Sequence, residues 1–342
     1  MKNNRLKQAL VIIVPFALLF LALYLLFRQS WQQIFQQLKQ VQLEWFGLAI
    51  LLSGLYYLID ARSFQSVVRV LLPDFPLRGA IEQVAMGLFM NVSTFGAGIK
   101  PAQAIYLRER GADVGEGLGI LILPYIFHKL TIVLYGAVGF VLCQGFIRTY
   151  FADEVQYIYL GYGLSLIICA FLLLIFLSSR FHTQCFRVLE KIPAGERYHH
   201  LIAQAKASTG GMRQQIKGVF ADKKLCAQMF GLNIAKFFCW FSAAAVAFRA
   251  IGCAALPVNF WQCLVIAALV QLLIGVIPMT GGMVSSEVVF VLLFSVVAGP
   301  VAAGSAMLIF RVATYYLPVL ISCFYSLLIY WRERQAHKKA VI

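Results

Sequence analysis

Apolar residues run along this chain in long blocks separated by short polar ones. Leu10–Phe27, Phe46–Ile59 (continuing toward Val68), Ala80–Phe95, Leu118–Leu142, Tyr157–Leu177, Leu225–Phe248, Phe260–Ile277, Val288–Ala298 and Ala303–Tyr330 carry the blocks. About 20 apolar residues let a helix span a bilayer, and a helix satisfies its backbone hydrogen bonds internally. The pattern predicts an all-α polytopic membrane protein of about eight hydrophobic helices. Leu10–Phe27 follows Lys2, Arg5 and Lys7 as a signal peptide would. Its apolar core is too long, however, and no small-x-small site precedes Trp31, so it reads as a retained anchor.

Two polar breaks interrupt the blocks. Pro278 to Glu287 reads PMTGGMVSSE between two uncharged runs, and Ser93 to Pro101 reads STFGAGIKP. Proline removes a backbone donor and glycine loses the most entropy in a helix, so both stretches disfavour continuous helix. At membrane depth such backbone is tolerated only against protein or a wet cavity. Gly96, Gly98 and Pro101 mark the first break; Pro278, Gly281 and Gly282 mark the second.

Composition agrees with the pattern: 61% of residues are hydrophobic and 13% charged, with a mean hydropathy of +0.81. The net charge of +15 suggests nucleic acid until its placement is read. Segments 1–9, 62–79, 100–116, 178–224 and 331–342 hold 22 of the 29 Lys and Arg residues. The alternate loops hold Arg28, Lys39, Arg148 and Arg249. That asymmetry is the positive-inside rule, which places both termini in the cytoplasm and excludes a nucleic-acid partner. A cell-membrane location follows. The eight cysteines are scattered without ligand spacing, and the adjacent His199-His200 cannot share a helical face, so no metal or other cofactor is expected.

Charge parity then constrains the topology. Three hydrophobic stretches separate residue 68 from the basic 178–224 segment, yet only two crossings keep that segment inside. Ala80–Phe95 is the shortest, so it is expected to enter from the cytoplasm and return near Pro101–Leu107 as a re-entrant hairpin. In the second half, Phe260–Ile277 and Val288–Ala298 either cross twice or form a hairpin entered from outside. Two hairpins of opposite entry would make an inverted repeat, with a binding site at the midplane.

The domain organisation is accordingly 1–177, an N-terminal membrane half with its hairpin near 80–107; 178–224, a cytoplasmic amphipathic elbow; and 225–342, a C-terminal membrane half with a broken element near 260–298. In the elbow, Met212, Ile216, Val219 and Phe220 share one helical face. Ile192–Gly195 and Ser208–Gly211 are expected to punctuate it.

PMTGGMVSSEVVFVLLF, the turn at Gly299-Pro300, and Phe310-Arg311-Val312-Ala313-Thr314-Tyr315-Tyr316-Leu317-Pro318 resemble the lysylphosphatidylglycerol synthase transmembrane region, the flippase-like family. Pro278, Gly281, Gly282, Glu287, Arg311, Tyr315 and Pro318 match its pattern residue by residue. In the first half, Gly98 to Gly119 matches less tightly: the family commonly carries an acidic residue and Arg where this chain has Lys100 and Gln103. The resemblance implies lipid translocation, of a phospholipid or of an aminoacyl-phosphatidylglycerol. In bifunctional members a soluble C-terminal domain performs the lysyltransferase step; this chain stops twelve residues after Tyr330, so that domain is expected to be absent. A separate transferase then becomes a candidate partner, beside anionic or aminoacylated phospholipid and further copies of the chain.

Ionisable residues at membrane depth usually face a bundle interior or a wet cavity. Asp60, Arg62, His128, Lys129, Lys236, Glu287 and Arg311 qualify. Asp60 and Arg62 also fit a snorkelling role at a helix end. Glu287 and Arg311 are the best pair, either locking two helices or serving a ligand. The residues expected to meet substrate are Glu287, Arg311, Lys236, Asn91, Lys100 and Tyr315, since guanidinium and ammonium groups suit a lipid phosphate. Asn91, Ser93 and Thr94 add uncharged donors but read first as structural helix-to-helix hydrogen bonders. No nucleophile elbow, P-loop or zincin motif is present. A membrane enzyme of headgroup modification, with Glu287 or His128 as acid/base, is the alternative.

Overall fold

The structure, a computed structural model, describes residues 31–94, 98–112, 114–153, 155–191, 196–253, 258–274 and 283–326. Leu10–Phe27, Gly96, Ile192–Gly195 and the break at Pro278, Gly281 and Gly282 lie outside them. Every described element is helical. They are α1 (Trp31–Lys39), α2 (Leu43–Val68), α3 (Leu77–Thr94), α4 (Ile99–Arg108), α5 (Val114–Leu142), α6 (Gln144–Tyr150), α7 (Val155–Leu177), α8 (Ser179–Glu190), α9 (Glu196–Ala221), α10 (Lys223–Ala250), α11 (Phe260–Ile274), α12 (Met283–Ala298) and α13 (Pro300–Arg311). A π-helical turn, Val312–Tyr316, continues α13.

Five stretches are long and apolar enough to cross a membrane: Leu43–Val68, Gly117–Leu142, Val155–Leu177, Lys223–Ala250 and Pro300–Ser326. The chain is a multi-pass all-α membrane protein. At about 1.5 Å per residue, even the shortest of the five outreaches a hydrocarbon core of about 30 Å. By contrast α11 and α12, with 15 and 16 residues, fall short of it.

The antiparallel pair α2–α10 forms the axis of the molecule. Gln228 donates to the Ser66 hydroxyl (3.1 Å) near one end, and the Gln42 amide donates to the Ala250 carbonyl (2.8 Å) at the other. Two apolar cores are stacked along this axis. One gathers Ile34, Phe146, Phe151, Phe241, Phe248, Phe294 and their neighbours at the Ala250 end. The other gathers Phe64, Val68, Phe75, Leu107, Phe127, Met212 and Ile216 at the opposite end, where the basic 62–79 and 178–224 segments meet.

At the basic end α8 and α9 form a cap. Ser178 caps α8, accepting from the Phe181 amide at 3.2 Å. The apolar face of α9 is buried through Met212, Ile216 and Val219, each such side chain contributing about 1.5–3 kcal/mol. The elbow therefore packs under the bundle. Ser208-Thr209-Gly210-Gly211, expected to interrupt it, instead continues α9 without a break. Tertiary contact overrides propensity there: a β-carbon on Gly119 would lie 2.8 Å from the Met212 Cα, so α5 and α9 touch backbone to backbone. Asp222 then starts α10, accepting from the Lys224 and Leu225 amides at 3.0 Å.

Two helical hairpins fill the flanks. In the first, α4 folds back along α3, bringing the Tyr106 hydroxyl to Glu82 at 3.3 Å. Its turn is closed by Thr94, whose hydroxyl donates to the Met90 carbonyl (2.7 Å) and accepts from the Gly98 amide (2.8 Å). Thr94 is thus a structural hydrogen bonder. Pro101 does not break a helix; it sits in the first turn of α4, where its missing N–H is harmless. In the second, α11 descends beside α5, with Val265 against Gly139 and Gln271 beside Lys129. The second arm, α12, returns toward Phe248. The hairpins open toward opposite ends of the molecule.

Candidate functional site

Both hairpins reach the same cavity. Asn91, three residues before the end of α3, and Ser286, in the first turns of α12, line a space of about 260 Å³ together with Trp240, Gln271, Phe310 and Arg311. Arg311 is held there by Glu287, Nε to Oε1 at 2.8 Å, with the two side chains 8% and 2% exposed. Ser286 also donates to the second oxygen of Glu287 at 3.0 Å. The expected Glu287–Arg311 pair is therefore formed, between α12 and α13. Tyr315 places its ring 5.3 Å from the Arg311 guanidinium carbon, a cation–π distance.

The turn that carries Tyr315 has a simple cause. Pro318 has no amide to give the Thr314 carbonyl, so the ladder lapses there and the helix widens into its π-turn. The Tyr57 hydroxyl, from α2, takes up that carbonyl at 2.8 Å. Gly299, with φ of 77°, makes the left-handed corner that turns α12 into α13. Only glycine adopts that conformation freely. Corner and π-turn together set Arg311 against α12.

A second charged group lies between the two apolar cores. Lys236 of α10 donates to Asp60 of α2 at 2.9 Å, the lysine 3% and the aspartate 33% exposed. The rings of Tyr56 and Phe237 sit 5.6 and 5.4 Å from its ammonium. Asp60 is eight residues from the end of α2, so it is an interhelical partner rather than a helix-end residue. Arg62 is exposed and bonds Gln65 on its own helix. Lys100, from α4, bonds Gln103 at 3.2 Å and lies within electrostatic range of Asp60 and Lys236. His128 packs edge-on against Phe237 (4.7 Å) within range of the same lysines. Lys129 points its ammonium at the Tyr125 ring, 5.6 Å away.

Of the residues expected to meet substrate, Arg311 and Asn91 line the cavity, while Glu287 and Tyr315 brace Arg311. Lys236 and Lys100 gather instead around Asp60. Gly98 packs against Thr94, where a β-carbon would lie 2.8 Å from the threonine side chain. Tyr56, Tyr57, Trp240 and Gln271 were not anticipated. The first two share a face of α2 with Asp60 through i to i+3 and i+4 spacing, a signal legible in the sequence. A third feature adjoins them: an apolar cleft of about 400 Å³ between α2, α3 and the end of Pro300–Ser326, lined by Tyr57, Leu58, Leu88, Leu317 and Pro318. Among the described residues no three His, Cys, Asp or Glu side chains converge as a metal site would require.

The model of the lysylphosphatidylglycerol synthase TM region matches residues 10–322. The chain belongs to that family. The match runs from before α1 to within the last helix, so both hairpins and both ion pairs lie inside the family unit. No curated protein matches the chain. Membership makes it a membrane protein of lipid modification or translocation.

Proposed function

We propose that this protein translocates a phospholipid, or a modified lipid such as an aminoacyl-phosphatidylglycerol, across the bilayer. The observation that carries this reading is the common cavity: hairpins opening to opposite ends supply Asn91 and Ser286 to one partly polar space around Arg311. Read in a membrane, they are re-entrant elements that meet near the midplane, one from each side. The headgroup would pass through this cavity beside Arg311, while its acyl chains stay in lipid or in the apolar cleft beside Tyr57. Glu287, Arg311, Lys236, Asn91, Lys100 and Tyr315 are the residues assigned to this path. The basic 62–79 and 178–224 segments support a cytoplasmic α8–α9 cap, and the reading takes the protein to lie in the cell membrane with both termini cytoplasmic.

Filling the cavity tests the proposal without breaking an ion pair. Ala244 lines it and is fully buried. Ala244→Phe in proteoliposomes is expected to abolish transfer of a fluorescent phospholipid between leaflets while expression and folding persist. Transfer at the unaltered rate would remove this cavity from the path. Headgroup modification, alone or with a separate transferase, is the second reading, because the family's description names a synthase. A lipid of altered mass after incubation with phosphatidylglycerol and charged tRNA would select it.

A further inference from the structure

Among the described residues the charges inside the bundle do not balance, and the imbalance is local. Arg311 is matched by Glu287 at 2.8 Å, and Lys236 by Asp60 at 2.9 Å. Lys100 is different. Its bonded partner is the neutral Gln103, at 3.2 Å. Among the described residues Asp60 is the carboxylate within its electrostatic range, and that carboxylate is already held by Lys236. Other charged and titratable groups nearby do not compensate. His128 adds a base and Lys129, which faces Tyr125, adds a further cation. Tyr56 and Tyr57 are neutral phenols.

A surplus cation inside a membrane bundle is costly unless a counter-charge arrives. Lys100 is only partly buried and Asp60 is 33% exposed, so the group is open to an incoming ligand rather than sealed. The apolar cleft beginning at Tyr57 lies one helical turn along α2 from Asp60. A ligand that is anionic at one end and apolar at the other would satisfy both features.

We propose that Lys100, supported by Lys236 and oriented by Gln103, binds the phosphate of a lipid whose headgroup carries net negative charge, with an acyl chain in the cleft lined by Tyr57, Leu88 and Leu317. The inference rests on the translocation reading and narrows it: the substrate is a net-anionic phospholipid rather than a zwitterionic or cationic aminoacylated one. The shared chemistry is a phosphate ester, which a soluble phosphate could also offer. The cleft favours the lipid.

Binding is measured apart from transport, by displacing fluorescent phosphatidylglycerol from the purified full chain in a neutral detergent. Unlabelled phosphatidylglycerol is expected to compete at least tenfold better than phosphatidylcholine or lysyl-phosphatidylglycerol, and inorganic phosphate to compete poorly. Lys100→Gln is expected to weaken phosphatidylglycerol about tenfold, the scale of one charged hydrogen bond. Lys100→Arg should retain it. Gln103→Glu, nearly isosteric, places a carboxylate on the Lys100 ammonium and is expected to weaken phosphatidylglycerol as much as Lys100→Gln does. Equal competition by phosphatidylcholine, or full affinity in Gln103→Glu, overturns the proposal. Displacement by inorganic phosphate at equal concentration overturns the lipid assignment. Lysine-dependent binding in a protein that moves no lipid would instead sink translocation and leave this site standing.

Discussion

At the scale of single residues, burial separates the two ion pairs. Glu287 and Arg311 are both enclosed, so removing one strands the other's charge, at a cost of about 3–5 kcal/mol. Asp60 is 33% exposed and so gives up less solvation in the pair than Glu287, which is 2% exposed. Glu287→Gln is therefore expected to lower the thermal midpoint in detergent more than Asp60→Asn does. Equal losses would mean that the Lys236 site is as closed as the Arg311 site. The first pair was legible in the sequence, because a lone Glu and a lone Arg on successive apolar helices need each other. The second was not: its partners stand 176 positions apart, and only the register of α2 on α10 joins them. Lys100 was legible as a candidate, whereas its bond to the neutral Gln103 was not.

At the scale of elements, the α8–α9 cap depends on a close approach and on a buried imidazole. Gly119→Ala puts a β-carbon 2.8 Å from the Met212 Cα, where backbone must move. An Ile216→Cys reporter in that variant is expected to react with a soluble thiol reagent severalfold faster than in the parent. Gly161→Ala is the control, since its 2.5 Å neighbour is the mobile end of Leu273. His182 is buried against Thr209, at 3.0 Å. Burial, with Arg213 and then Lys206 nearby, holds its pKa below the ordinary value of 6.5. The unfolded cap thus binds the proton more readily, so the stability His182 lends is present above pH 6.5 and is lost as pH falls below it. Limited proteolysis of α9 is expected to quicken from pH 7.5 to pH 5.5, and His182→Gln to flatten that dependence. The α9 pattern showed its apolar face in the sequence. Its continuity through Gly210 did not show, because the stabilising contact comes from Gly119, far away in the chain.

For the whole molecule, the expectation that follows from charge and fold together concerns sidedness. Leu43 and Val188, 78% and 64% exposed, stand at opposite ends. In a cysteine-free background, Leu43→Cys is expected to react with an impermeant maleimide in intact cells, and Val188→Cys only after permeabilisation. The reverse pattern would invert the molecule and place the basic cap outside.

The sequence by itself determined the membrane class, the all-helical architecture and the family, because each follows from local pattern: apolar length, and glycine and proline at fixed spacings. Tertiary structure alone decided which charges meet, that two hairpins from opposite ends share one cavity, and that α9 runs unbroken beneath the bundle. Those outcomes depend on contacts between residues distant in the chain, whose register no local pattern encodes.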